Sequence, residues 1–323
     1  MKKFPSLRAN DRMVNDAYAF LEKQLEKCDP KILEPLTSTL WPRDMPVKTG
    51  GGFLENVSVV DVTYASTGNG ENSLIFNTAN DIPVMQADFG KTISRVFSWA
   101  QYMMISYIEK QKFQNIALNL EETLNKGIHL EFDRFCDQNV YLGFTKVNST
   151  GLINNANVTR VTATPHTSGG TDTTWDEKDA DEILKDFNDA LTAVWSANDM
   201  AEDALPNQIL IPVYQFGQLV TRKVGVTGDK SILTYIKENN IVEQQGKHLE
   251  ILPCKYCYHA GTNSADRMVV YINDVEKIRY HQTAPLRRLT TEIANLSFRT
   301  PYVAQVSEVE FNYPTTVYYV DGI

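Results

Sequence analysis

Apolar residues recur at helical spacing in two stretches of the first half of the chain. Val14, Tyr18, Leu21 and Leu25 predict a short amphipathic helix over residues 11–27. Leu120, Leu124, Ile128, Phe132 and Phe135 predict a longer one over 115–139, with Glu121, Glu122, Lys126, Glu131, Asp133 and Arg134 on its other faces. At ~1.5 Å per residue that helix is close to 40 Å long, the spine of something elongated. Gly127 in its middle costs about 1 kcal/mol relative to alanine, so close packing is expected there.

Between these helices the pattern is β. Residues 53–66 carry Val57, Val59, Val60, Val62 and Thr63 and read as a strand. After the Gly68-Asn69-Gly70 loop, residues 81–106 read as a two-stranded ribbon whose tip is Asp88-Phe89-Gly90-Lys91. An isolated ribbon is only marginally stable in water, so this one is expected to lean on something else. Asp29-Pro30, Pro35, Pro42, Pro46 and Gly50-Gly51-Gly52 keep the stretch after the first helix extended and irregular. Residues 1–52 therefore look like an arm, and its one-sided helix packs either on its own domain or on a neighbouring subunit.

The run Gly151-Leu152-Ile153-Asn154-Asn155-Ala156-Asn157-Val158 closes the long helix and opens a new unit. From there strands and helices alternate. Arg160 begins a short strand, and Ile183, Phe187, Leu191, Val194 and Trp195 form the buried stripe of an acidic helix. Strands follow at 208–213, 249–254 and 268–272, and short helices at 214–222 and 231–239. This alternation predicts an α/β subdomain over 159–290. The tail returns to β-rich sequence, interrupted at Pro314, and ends in Tyr318-Tyr319-Val320-Asp321-Gly322-Ile323.

A chain of 323 residues can bury a sizeable core without staples, and four cysteines make no disulfide framework. No segment approaches the ~18 consecutive apolar residues of a membrane span, and no apolar signal core follows the basic start; a protein kept in a cytoplasm or released by lysis is expected. The net charge of −9 argues against a dedicated nucleic-acid reader. That acidity is local: residues 176–203 hold ten carboxylates against Lys178 and Lys185, a balance of −8.

Candidate chemistry is thin. Gly90-Lys91-Thr92 lacks the earlier glycine of a phosphate loop, which would fall at Met85. Asp88-Phe89-Gly90 has no catalytic-loop partner. Cys254-Lys255-Tyr256-Cys257 with His259 is the best metal or redox candidate, but zinc needs about four ligands and no second cysteine pair completes the set. Asp179, Glu182, Asp186 and Asp189 share a helix flank, which a solvated face explains more simply than a cation site. His129, His166, His248 and His281 are scattered. No catalytic, cofactor or metal site is expected, and the chain reads as no enzyme; a soluble α/β enzyme using Cys254, Cys257 or the acidic helix is the alternative of another class.

The order of parts (arm, ribbon, spine helix, Gly-Leu-Ile-Asn-Asn run, α/β subdomain, closing β segment) resembles the major capsid proteins of tailed bacteriophages with the Hong Kong 97-type fold, and their bacterial shell relatives, the encapsulins. The resemblance implies an α+β fold with an N-terminal arm (1–52), a first part of a peripheral domain (53–80), an extended loop (81–106), a peripheral domain with its spine helix (107–158), an axial domain (159–290) and closing peripheral strands (291–323). It implies self-assembly through hexamers and pentamers into an icosahedral virion shell around double-stranded DNA held by non-specific contact, assembled in the host cytoplasm. A separate scaffolding protein and a portal are the implied partners, with no membrane and no cofactor. Tyr18, Leu21, Leu25, Phe89, Gly90 and Lys91 are the subunit-interface candidates. Some members crosslink a loop lysine to a neighbour's asparagine; Lys91 sits at a suitable place, but no partner asparagine can be named, so crosslinking is not expected. An encapsulin-type compartment is the alternative within the same fold.

Overall fold

A computed structural model describes residues 38–67, 83–114, 120–167, 170–225 and 230–323. The expected helix over 11–27, with Tyr18, Leu21 and Leu25, and the Gly68-Asn69-Gly70 loop lie outside the described residues. Thirteen described strands run in chain order as β1 (Val47–Thr49), β2 (Asn56–Ser66), β3 (Met85–Ser106), β4 (Thr159–Thr162), β5 (Gln208–Ile211), β6 (Glu250–Pro253), β7 (Arg267–Tyr271), β8 (Ile278–Gln282), β9 (Ala284–Arg288), β10 (Glu292–Ala294), β11 (Ser297–Ser307), β12 (Val309–Phe311) and β13 (Val317–Asp321). They form three sheets: β1-β8-β12; β10-β11-β3-β2, with β9 beside β11; and β4-β13-β7-β5-β6.

The spine helix is Leu120–Leu142, about 34 Å long at ~1.5 Å per residue. Its C-terminal end explains the Gly-Leu-Ile-Asn run. A helix leaves its last four carbonyls without intrahelical partners. Here the carbonyl of Asn139 accepts from Gly143 N at 3.0 Å, Val140 from Leu152 N at 2.7 Å, Tyr141 from Ile153 N at 3.3 Å, and Leu142 from the Asn154 side chain at 2.8 Å. All four are satisfied. Gly143 turns the chain at φ +68°, and a Cβ on Gly151 would lie 2.3 Å from the carbonyl carbon of Tyr141. Gly127 behaves otherwise than expected: nothing lies within 4 Å of a Cβ built there, so no close packing demands it.

The inner strands β5 and β7 of the third sheet are almost wholly apolar because both of their faces are buried. Ile209, Ile211, Ile251, Met268, Val270 and Val320 face a core under the acidic helix, Ala180–Ala197. Their alternating neighbours Leu210, Val269, Tyr271, Val317 and Tyr319 face the core built on the spine helix. One sheet thus walls both cores.

Two differences from the sequence reading follow. The closing segment does not stay with the peripheral strands: β13 sits inside the α/β sheet between β4 and β7. Conversely β8 and β9, inside the span assigned to the α/β subdomain, pair with β1, β12 and β11. Pairing partners far away in sequence decide sheet membership, and local pattern carries no trace of them.

Candidate assembly surfaces

The ribbon is built differently from the expectation. Asp88-Phe89-Gly90-Lys91 is not a tip: β3 runs unbroken for 22 residues, and its partner is β2. Gly90 is absent from the positive-φ residues and lies opposite Asp61 within the ladder. A hairpin turn needs φ > 0 at its centre, and an extended glycine only weakens a strand. The register runs from Asn56 opposite Arg95 to Ser66 opposite Met85, and Thr67 N donates to Val84 O at 3.0 Å beyond it.

Opposed residues share a face of an antiparallel pair. One face carries Val60, Val62 and Tyr64 from β2 with Met85, Phe89 and Ile93 from β3. The other carries Asp61, Thr63, Asp88 and Thr92, with Thr92 Oγ1 donating to Asp61 at 2.6 Å. All six large apolar side chains are exposed, Tyr64 at 71% and Phe89 at 68%. Burying each is worth ~1.5–3 kcal/mol, so this face strongly favours association. Among the expected interface residues, Phe89 (opposite Val62) and Lys91 (opposite Val60) join the apolar face, while Gly90 lies on the polar one. Val60, Val62, Tyr64, Met85 and Ile93 were missed; the i, i+2 spacing of apolar residues along both strands was their signal.

The same parity continues along β3 as Phe97, Trp99, Met103 and Ile105, where the spine helix covers it. Trp99 packs edge-on against Phe132 with ring centres 5.2 Å apart, and Met103 and Ile105 cluster with Ile128 and Tyr302. One apolar strip thus runs past the end of its cover.

Where the ribbon leaves the body it is pinned by charge. Glu310 on β12 accepts from Ser94 Oγ at 2.9 Å and Arg279 Nε at 2.5 Å, and meets His281 Nε2 at 2.9 Å. Burial pushes this carboxyl up, but the hydrogen bonds from His281, Arg279 and Ser94 outweigh it and hold the pKa at about 2. Next door, Arg95 pairs with Glu308 at 3.1 Å and donates to Val147 O at 2.7 Å.

A second exposed apolar area surrounds the β10–β11 turn, where Asn295 and Leu296 both have positive φ. Ile293 and Leu296 project into solvent, and Tyr102 and Met104 of β3 are likewise uncovered.

The candidate chemical groups are taken up structurally. Cys254 and Cys257 are buried; the hydrogen bond to Cys254, then burial, raises the Cys257 thiol well above its ordinary value, the opposite of an activated thiolate. His259 turns instead to Asp266, whose carboxylate accepts its backbone N–H at 2.9 Å. The four acids do not form one solvated flank. Asp186 is buried, accepting from Lys178 Nζ at 2.5 Å, Thr164 Oγ1 at 2.6 Å and Trp175 Nε1 at 3.1 Å. Asp179 and Glu182 form the helix's capping box, and Asp189 pairs with Lys185 at 2.9 Å. Among the described residues no group of three or more His, Cys, Asp or Glu side chains could hold a metal ion, and no helix is long and apolar enough to cross a membrane. Gly90-Lys91-Thr92 lies in mid-strand, with no loop to cradle a phosphate.

Comparison with known proteins shows a family by sequence and a fold by structure. The model of the family described as "Major capsid protein" matches residues 70–323. No curated protein matches the chain by sequence. Among solved structures, the capsid of Myoviridae phage XM1 superposes with a TM-score of 0.76 at 15% identity, covering 93% of this chain and 98% of that one. A Microbacterium phage Oxtober96 structure gives 0.60 at 14% identity, covering 95% and 98%. A virus-like particle from Pyrococcus furiosus gives 0.52 at 10% identity, covering 87% and 91%. The fold is the Hong Kong 97-type α+β fold.

Proposed function

The chain belongs to the major capsid protein family, and from that premise we propose how its surfaces build the shell. It is a shell-forming capsid protein. In our reading hexamers and pentamers of this one sequence close into an icosahedral bacteriophage capsid around double-stranded DNA. The observation that carries the assembly mechanism is the one-sided ribbon: six exposed apolar side chains on one face, whose natural cover is the body of a neighbouring copy. Obligate interfaces commonly bury ~2,000–5,000 Å², and many modest contacts add up once subunits are linked in a closed array.

In this reading the arm, with Tyr18, Leu21 and Leu25, lies against an adjoining subunit, and the ribbon is the extended loop. The spine helix belongs to the peripheral region, and the α/β sheet with its helices is the axial region around the centres of pentamers and hexamers. The net charge of −9 suits a container that encloses DNA without gripping it. A scaffolding protein and a portal act as separate partners, assembly takes place in the host cytoplasm, and the role is structural, without catalysis.

The test is electron microscopy and light scattering of the full chain, expressed alone and with the product of the neighbouring gene. Uniform closed shells are the expected result in one of the two. A persistent monomer in both would overturn the assembly mechanism.

A further inference from the structure

Where the spine helix ends, a cleft of about 460 Å³ opens against β3. Its walls are the rings of Phe97, Phe135 and Phe144: the last two stack with centres 4.7 Å apart, and Phe97 stands edge-on to Phe144 at 6.2 Å. Ser98, Gln138 and Thr145 make the rim polar, and Lys146 is the one charged group among the described lining residues. Arg95, which reaches the carbonyl of Val147 on the lining, is already paired with Glu308.

Further along β3, beyond Ser106, stands the two-residue turn Asn295-Leu296 between β10 and β11. Its residues have φ of +49° and +58°, and a turn of this kind favours glycine at the second position. Leucine there crowds its Cβ against the backbone, and residues held in such conformations gather at functional sites. Nothing inside the subunit offsets that strain: Leu296 is 74% exposed and Ile293 75%, the two highest values among the described large apolar side chains. Among the described residues neither Glu292, beside this pair, nor Lys146 has an ion-pair partner. The other charges around the turn are placed otherwise. Arg299 lies opposite Glu292 in the ladder without pairing to it, Lys110 sits over the Phe298 ring, and Glu109 accepts from Ser106 N at 3.4 Å.

Phe97 and Ile293 lie on the same face of the sheet, the one that the spine helix covers between them. The extended strand from Phe97 to Ser106 sets cleft and turn about 30 Å apart, so they cannot meet within one copy. They match in character: an apolar pair beside an unpaired carboxylate, and an aromatic cleft rimmed by an unpaired ammonium. We propose that the cleft takes the β10–β11 turn of an adjoining copy, with Ile293 and Leu296 entering between the phenyl rings and Glu292 meeting Lys146. Such a contact is heterologous, the turn of each copy serving the cleft of the next, and it forms a ring when the rotation between copies closes. It rests on the reading that copies of this chain assemble, and it makes no use of the ribbon.

The test is cysteine trapping in the full chain. Ile293→Cys and Gln138→Cys are introduced at two exposed positions in a Cys28→Ser background, in which Cys136, Cys254 and Cys257 are buried. Oxidation of the double variant should give a ladder of covalent oligomers, while an equal mixture of the two single variants should stop at dimers. Leu296→Gly should raise the melting temperature, because glycine takes φ +58° freely, and yet slow trapping about tenfold. Lys146→Glu should also slow it, and Glu292→Lys in the same chain should restore it. Closed shells without a ladder, or trapping that Leu296→Gly and Lys146→Glu leave unchanged, would overturn this inference and spare the assembly mechanism. A chain that stays monomeric throughout would overturn both.

Discussion

The phenolic hydroxyl of Tyr319, on β13, donates to the main-chain carbonyl of Leu152 at 2.6 Å and accepts from Asn155 N at 3.2 Å. One side chain thereby ties the turn after the spine helix to the last strand of the chain. Arg267 adds a bond from the neighbouring strand to the carbonyl of Ile153 at 2.6 Å. Tyr319→Phe keeps the ring and strands a buried carbonyl and an N–H. The expected loss is about 1–3 kcal/mol in urea unfolding, with unchanged secondary structure by circular dichroism.

The glycines of the spine helix and of its cap make a matched pair. Gly151→Ala drives a methyl to 2.3 Å from the Tyr141 backbone, which cannot yield without breaking the cap. Loss of several kcal/mol, on the order of the largest single-site effects, or insoluble protein is expected. Gly127→Ala meets open space inside the helix and should stabilise by about 1 kcal/mol. Parallel urea titrations check both signs.

On the ribbon, Phe89→Ser and Val62→Ser should leave the subunit's own stability within about 0.5 kcal/mol, since neither side chain is buried in it. Both should prevent or sharply slow closed-shell formation, read by light scattering and microscopy. Gly90→Ala is the control: its Cβ would meet only Asp61, at 3.8 Å, on the polar face. Shells should form normally from it.

Acid should loosen the base of the ribbon. Glu310 has its pKa depressed from the ordinary 4.5 to about 2 in the folded chain. A depressed carboxyl contributes stability that is present above the unfolded value and lost as pH falls through the folded one. Between pH 4.5 and about 2, stability should therefore drop, and Glu310→Gln should flatten that part of the profile while lowering stability at neutral pH. Unfolding midpoints of both proteins across this window decide it.

Most of the body was legible because its signals are local. The stripe of Ile128, Phe132 and Phe135, the β-branched run of β2 and the apolar runs of β5 and β7 each report on their own segment. What escaped depended on distant partners. Asp88-Phe89-Gly90-Lys91 has the residues of a turn, and only pairing with Val60 to Thr63 reveals a straight strand. Asp186 looked solvated beside its acidic neighbours until the fold placed Lys178 and Trp175 against it. Phe89 and Lys91 were found on an uncovered face for a mistaken local reason, while Val62 and Tyr64 followed an alternation that the imperfect pattern of β2 obscured.

The sheet that walls both cores has a thermodynamic consequence. Were the α/β layer to melt alone, Leu210, Val269, Tyr271 and Tyr319 would leave the core beneath the spine helix at the same moment as their neighbours left the other. Neither half has an intermediate in which it keeps its interior. Heat should therefore dismantle residues 39–323 in a single calorimetric transition, and a subunit damaged at either core is lost entire rather than held in a half-folded form that could be built into a growing particle.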